Sequence, residues 1–280
     1  MTGVQTCALP ICIGKLNKLR RLELFNCDRL SILPEEMQNC TSLEELQIVA
    51  CGISQLPDWI GNLSRLRYLR LATEIESLPA SIGNLQELEV LDLLDTNIKM
   101  LPPSIGNCKN LRKLMITDSK LIFIPKELTL LSKLEVLEIV NNDISEIPFS
   151  FENFSCLKHI DLDENHLVNL PKGLGTCPNL VSISASRNQI QELPDDITNS
   201  PSLSTLLIDH NLLRALPDDI GKLKHLWQLD VTHNYLETLP ESLGDCKKIR
   251  ILYVYGNPLK HIPDSVRKLP DLRIGFPPVG

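Results

Sequence analysis

The sequence predicts an α/β solenoid, with short parallel strands stacked into a sheet on one side and short helical or 3-10 turns on the other. Three observations predict it. An apolar pattern recurs about every 23 residues along nearly the whole chain. Each copy opens on an alternating LxxLxL element. Each copy then runs into a Leu-Pro or Ile-Pro pair, often followed by acids and a glycine. A fixed period of this length marks a fold of stacked units, none of which buries its apolar face alone.

The register is set by the first apolar residue of each unit. Units begin at Leu19, Leu43, Leu66, Leu88, Leu111, Leu134, Leu157, Leu180, Leu203, Leu226 and Ile249, with a partial unit at Leu272. The spacing is 23 residues from Leu88 onward and 24, 23 and 22 before it, so the first unit carries an extra residue and the third lacks one. LxxLxL alternates apolar and polar positions, as a strand with one buried face does. Strands repeated in this way stack in parallel about 4.8 Å apart, giving an inner arc of roughly 50 Å.

Asn142, Asn165, Asn188, Asn211, Asn234 and Asn257 stand where the strand turns away. Their amides suit backbone groups that a turn leaves unpaired. Cys27, Cys51, Thr96 and Ser119 take that place in earlier units, and the third unit loses its residue near Glu74. Prolines then recur from Pro34 to Pro263, with acids after several of them, as in Pro194-Asp195-Asp196. Proline at the first helical position with acids in the first turn starts a helix. Short turns are expected there, ending near Gly61, Gly83, Gly106, Gly221 and Gly244.

The units resemble the leucine-rich-repeat family in its 23-residue form, with LPxxIGxLxxL on the back, as in Leu56-Pro57-Asp58-Trp59-Ile60-Gly61-Asn62-Leu63. The resemblance covers residues 13–274 and implies a horseshoe with the parallel sheet on its concave face. The LPxxIGxL backs are similar to those of Ras-pathway and Scribble-like intracellular scaffolds, whose concave faces bind signalling proteins, including small GTPases. Leu24-Phe25-Asn26-Cys27 and Ile48-Val49-Ala50-Cys51 are similar to the irregular repeats of plant intracellular resistance receptors. A bacterial repeat protein acting in host contact is a third class. The resemblance thus implies a protein–protein interaction module, with a cytoplasmic signalling scaffold or adaptor as the leading expectation.

One elongated domain over residues 13–274 is expected, with a six-residue tail at 275–280. Residues 1–12 do not fit the repeat. Met1-Thr2-Gly3-Val4-Gln5-Thr6-Cys7-Ala8-Leu9-Pro10-Ile11 resembles a translated sequencing adapter, so a non-native or disordered leader is expected there. Neither end shows a clear polar cap, and a longer natural protein is expected. The net charge of −7 argues against a nucleic-acid partner, which needs a basic footprint. No apolar run approaches the ~20 residues of a membrane-spanning helix.

The register also accounts for most of the nine cysteines: two fill the Asn place, and Cys40, Cys108, Cys177 and Cys246 fill an apolar back position. Free thiols buried as small hydrophobes fit a reducing compartment. Three sequons, at Asn39, Asn62 and Asn153, share one repeat position. They read as by-products of the repeat or as glycan sites on an extracellular protein.

Catalytic and cofactor motifs are not found, so neither an enzyme nor a cofactor is expected. Asp161-Leu162-Asp163-Glu164-Asn165 copies the start of a calcium loop, but His166 replaces the required glycine and Lys172 the closing glutamate, and no metal is expected.

Function is therefore sought on the solvent-facing strand positions. Glu138, Asp161, Asp163 and Glu164, followed by Asp209 and Asp230, form an acidic centre. Like charges on facing strands repel, and the cost suggests a basic partner surface, although an ordinary solvated face reads the same way. Trp227, Tyr253 and Tyr255, with Tyr235 beside them, gather at the C-terminal end as interface anchors or as a shield for the last repeat. Arg21, Arg67, Arg70 and Lys113, around Asp92, make the other end more basic, so the face is expected to be polarised. Charge reversal at Asp161 and Asp163 is expected to weaken binding without unfolding the chain.

Overall fold

The structure, a computed structural model, describes residues 11–275. Residues 1–10 of the expected leader and 276–280 of the tail lie outside the described residues, while Ile11–Lys15 forms a 3-10 turn. The class is α/β: among the described residues twelve short parallel strands are joined mostly by 3-10 turns, with a short α-helix, Asp264–Arg267, before the last strand. The chain divides into two compact units, one ending at Asp143 and the other beginning at Ile144.

The first unit holds β1 (Arg21–Cys27), β2 (Glu45–Cys51), β3 (Tyr68–Ala72), β4 (Val90–Leu94), β5 (Lys113–Thr117) and β6 (Val136–Val140). The second holds β7 (His159–Asp161), β8 (Ser182–Ser184), β9 (Thr205–Leu207), β10 (Gln228–Asp230), β11 (Ile251–Tyr253) and β12 (Arg273–Gly275). Within each unit the strands pair in sequence order and in repeat register, Leu22 with Leu46 and Leu46 with Leu69 in the first, Ile183 with Leu206 and Leu206 with Leu229 in the second. These leucines and isoleucines are fully buried and form the core. Burial of one such side chain is worth roughly 1.5–3 kcal/mol.

The turns behind the strands are 3-10 rather than α because their apolar residues recur at a period of three. Ile60 N–H bonds to the Pro57 carbonyl at 3.0 Å, Leu63 to Ile60 at 3.1 Å and Leu66 to Leu63 at 2.9 Å. This drops Ile60, Leu63 and Leu66 into the core in succession. The prolines stand one place earlier than expected. Pro34, Pro57, Pro79, Pro102, Pro125, Pro194 and Pro240 are extended N-cap residues whose carbonyl accepts the first turn bond, so the residue after each proline opens the turn.

The turns end one residue past the glycines, as at Asn62 after Gly61 and Asn84 after Gly83, but the glycine has a further reason. A Cβ on Gly61 would lie 2.5 Å from the Ser81 carbonyl oxygen, and one on Gly83 equally close to that of Ser104. Glycine is there because successive turns touch backbone to backbone.

The asparagines act as expected from their position. Asn211 donates to the Ala185 carbonyl at 2.9 Å and accepts the Ile190 N–H at 2.9 Å, tying both to the preceding repeat. Asn188 does the same for Leu162 and Leu167, and Asn234 for Ile208 and Leu213. The residue before each turn position adopts a left-handed conformation, from Asn26 and Ala50 to His210 and His233. The third repeat has no such residue. Its missing position is the left-handed one, and Thr73 takes the Asn place without the Asn bonds, its hydroxyl donating to the Cys51 carbonyl and lying 3.3 Å from that of Ile53.

Candidate functional site

The second unit brings most of the candidate residues onto one open sheet face. Register across β7 to β11 aligns Asp161, Ser184, Leu207, Asp230 and Tyr253 in one row. Two residues further along each chain lies a second row, Asp163, Ser186, Asp209, Thr232 and Tyr255. Side chains two apart on a strand share a face, so both rows lie opposite the inward-pointing Ile160, Leu162, Ile183 and Leu206; within them Ser184, Ser186, Asp230 and Thr232 are buried and Tyr255 is exposed.

The acids are not the bare, mutually facing charges the sequence suggested. Asp161 stands opposite Ser184, and Ser184 opposite Leu207. Ser184 Oγ and Ser186 N–H both donate to Asp163 Oδ1 at 2.6 Å, and Ser186 Oγ donates to Asp209 Oδ1. Asp161 Oδ1 accepts the Asp163 N–H at 3.1 Å, and Asp230 Oδ1 the Thr232 N–H at 2.9 Å. Serine thus separates neighbouring carboxylates and bridges them. Burial pushes the Asp163 carboxyl up to about 6 and lifts Asp161 and Asp230 as well. Asp163 therefore carries part of the structure, and charge reversal there would strip the Ser184 hydroxyl and the Ser186 N–H of their acceptor, contrary to the expectation that the fold would be untouched.

The aromatic end is also rearranged. Trp227 is exposed just before β10, where its backbone joins Ser204 and Arg250. Tyr255 lies beyond the far end of β11. The rings that meet are instead His210 and His233, stacked at 4.3 Å and 30°, and His233 and Tyr255, edge to face at 5.5 Å and 89°. His210 Nδ1 also lies 2.8 Å from Asp209 Oδ2. The histidines were missed because they look scattered in the sequence. Their signal is the place before each turn asparagine, where Gly256 follows them and leaves room for the His233 ring.

Glu138 and the basic residues belong to the first unit. Glu138 pairs across the sheet with Met115. Arg70 Nη1 lies 3.5 Å from Asp92 Oδ2, with the Tyr68 hydroxyl on the same carboxylate. Arg21 pairs with Glu45 and Arg67 with Glu89. Three of the four cations expected to make this end basic are thus matched by acids in the next repeat. In the calcium-like segment of the second unit Leu162 is fully buried and the Asn165 amide is committed to backbone carbonyls.

Residues 54–148 match the family described as leucine-rich repeat region, and residues 201–259 match leucine rich repeat. This is a leucine-rich-repeat protein. Two Arabidopsis thaliana proteins are similar to this repeat protein in sequence. Putative disease resistance RPP13-like protein 3 is 38% identical over 91 residues, covering 29% of this chain and 11% of the relative. SUPPRESSOR OF npr1-1, CONSTITUTIVE 1 is 31% identical over 103 residues, covering 29% of this chain and 7% of the relative. The leucine-rich-repeat chain therefore spans only a small part of the length of these relatives.

Among solved structures, the plant peptide hormone receptor RGFR1 in complex with RGF2 matches with a TM-score of 0.83 and 27% identity, over 98% of this chain and 45% of that one. PEPR1 with AtPEP1 matches with a TM-score of 0.77 and 25% identity, over 97% and 43%. Leucine-rich repeats of this kind generally serve protein–protein interaction. Among the described residues no helix is long and apolar enough to cross a membrane.

Proposed function

We propose that this chain is the ligand-sensing repeat region of a plant-type disease-resistance receptor, and that the open face of β7 to β11 binds a basic segment of a partner protein. The observation that carries the binding site is the His210–His233–Tyr255 ring column standing beside the Asp163–Ser186–Asp209 hydrogen-bonded row. A cationic side chain laid over such rings gains from their π faces and from the nearby carboxylates. The receptor reading is supported by the disease-resistance relatives, which match in sequence. The scaffold reading rests on the LPxxIGxL backs alone, and a small GTPase partner belongs to that reading. An intracellular, reducing location fits the buried thiols, of which Cys40, Cys108, Cys177 and Cys246 donate to backbone carbonyls of the preceding repeat.

The test uses the full chain and a fluorescein-labelled peptide rich in arginine and tryptophan, followed by fluorescence anisotropy. Tyr255→Ala and Asp161→Asn are each expected to weaken binding about tenfold, as interface anchors do. Arg70→Ala, on the first unit, is expected to leave it unchanged. Binding that survives both substitutions in the second unit overturns the assignment of the face.

A further inference from the structure

A second feature lies in the first unit, away from the exposed sheet face. Met100, Ile122 and Phe123 are 59%, 52% and 44% exposed. Met100 and Phe123 pair as an isolated parallel bridge, and Ile122 N–H donates to the Lys99 carbonyl at 3.0 Å, so the side chains are held on one short ladder.

The repeat supplies its own control. The position of Met100 and Phe123 is Gln55 and Ser77 in the two preceding repeats and Glu146, Asn169 and Glu192 in the three that follow. Two further repeats place Ile32 and Ala215 there, each with polar neighbours at the equivalent position on both sides or at the chain's start. Only at Met100 and Phe123 do consecutive repeats both place a large apolar residue, and Ile122 adds a third. No core demand explains them, since Leu101, Leu121 and Ile124 already fill the buried positions alongside. Contiguous exposed apolar groups rimmed by polar ones mark interaction surfaces.

The rim carries the sign of the partner. Beside Met100 opens a cleft of about 600 Å³ lined by Glu76, Ser77, Asn97, Lys99, Met100 and Lys120. Lys120 Nζ bonds to the neutral Asn97 Oδ1 at 2.6 Å, and Lys126 is exposed next to the apolar run at Ile122–Ile124. In a chain of net charge −7, three lysines stand around three bare apolar side chains against two acids, Glu76 in the cleft and Asp143, whose N–H bonds to the Leu121 carbonyl, which leaves a small local excess of positive charge. Complementary potential selects an acidic partner, and the apolar side chains ask for leucine or phenylalanine between the acids.

We propose that Met100, Ile122 and Phe123, with Lys99 and Lys120, form a second docking surface, for an acidic amphipathic segment of a partner protein. It is separate from the open face of β7 to β11 and does not depend on that assignment. The test measures anisotropy of a fluorescein-labelled peptide in which glutamates alternate with leucine and phenylalanine, titrated with the full chain. A control peptide carries lysine at every glutamate.

The acidic probe is expected to bind, and the lysine probe to bind at least about tenfold more weakly. Phe123→Glu should abolish binding. Lys99→Glu with Lys120→Glu, at exposed positions that leave the core intact, should reduce it about tenfold and flatten its salt dependence. Circular dichroism confirms that each variant folds. Failure of the acidic probe to bind, equal binding of both probes, or binding unchanged in the lysine variant each overturns the proposal. So does a concentration-dependent dimer in sedimentation that Phe123→Glu disperses, which would make a second copy of the chain the occupant.

Discussion

The two units repeat one pattern and use it differently. Strands of the first unit run five to seven residues, and those of the second run three. The difference begins two residues past the register position of Glu23, Asp161 and Tyr253 in each strand. The first unit places Phe25, Val49, Ala72, Leu94, Thr117 and Val140 there, and the second Asp163, Ser186, Asp209, Thr232 and Tyr255. Short polar side chains compete for backbone groups that a ladder would otherwise use. In the second unit the N–H groups of Asp163, Ser186 and Thr232 indeed go to aspartate carboxylates. The lesson is that the second unit's face is a hydrogen-bonded polar surface, with side chains held in place before any partner arrives. The first unit instead carries exposed arginine–carboxylate pairs at and just before its strands, each worth little in stability.

The largest expected effect separates the turn residues of the two units. Asn211→Ala leaves the buried Ile190 N–H without a partner and the Ala185 carbonyl with only the Asn188 amide at 3.3 Å, at a cost of about 2 kcal/mol. Cys51 stands in the same role with a weak thiol donor to the Leu24 carbonyl at 3.6 Å, and Cys51→Ala is expected to cost about 1 kcal/mol. Urea denaturation of both variants checks this, and equal losses would remove the distinction.

A smaller effect concerns pH. Burial raises the Asp163 carboxyl from 3.8 to about 6, so the folded chain holds that proton more tightly than the unfolded one. Its contribution to stability is full below about pH 4 and is lost as the pH rises through about 6. Melting is therefore expected to occur higher at about pH 5 than at about pH 7.5, and the part due to this group should vanish in Asp163→Asn. A pH response identical in the variant would show that the second unit's row does not carry it.

The smallest effect returns to the first unit. Ala50 is exposed at φ 49°, the left-handed place that Gly256 occupies in the second unit. Relief of that strain, less glycine's greater entropy loss, predicts a gain of about 0.5 kcal/mol for Ala50→Gly. Thermal denaturation should show a slightly raised midpoint, and a lowered one would mean that the strain is already relieved by the neighbouring backbone.

Much of this architecture was legible from residues alone. Period and alternation placed the strands and their buried leucines, because burial at a fixed spacing leaves a direct trace in the chain. The role of Asn188, Asn211 and Asn234 followed from an amide's capacity to donate and accept at one turn. The candidate site was legible only in part. Asp161, Asp163, Asp209 and Asp230 were found as acids on one face, while the serines between them and the stacked histidines were not, since hydroxyl direction and ring contact depend on which side chains the neighbouring repeat presents.

The sequence by itself determined the repeat, its register and the parallel stacking, all properties of spacing. Tertiary structure decided the rest. Packing of one 3-10 turn on the next showed glycine to be a contact residue, and the proline carbonyl to be the first acceptor of most turns. Alignment of Ser184 and Ser186 against Asp163 tied carboxylates that still repel one another into a hydrogen-bonded row with raised carboxyls. Spacing is written along one dimension and can be read there. Partner choice among side chains on adjacent strands is made in space, where residues 21 to 26 positions apart come within hydrogen-bonding distance.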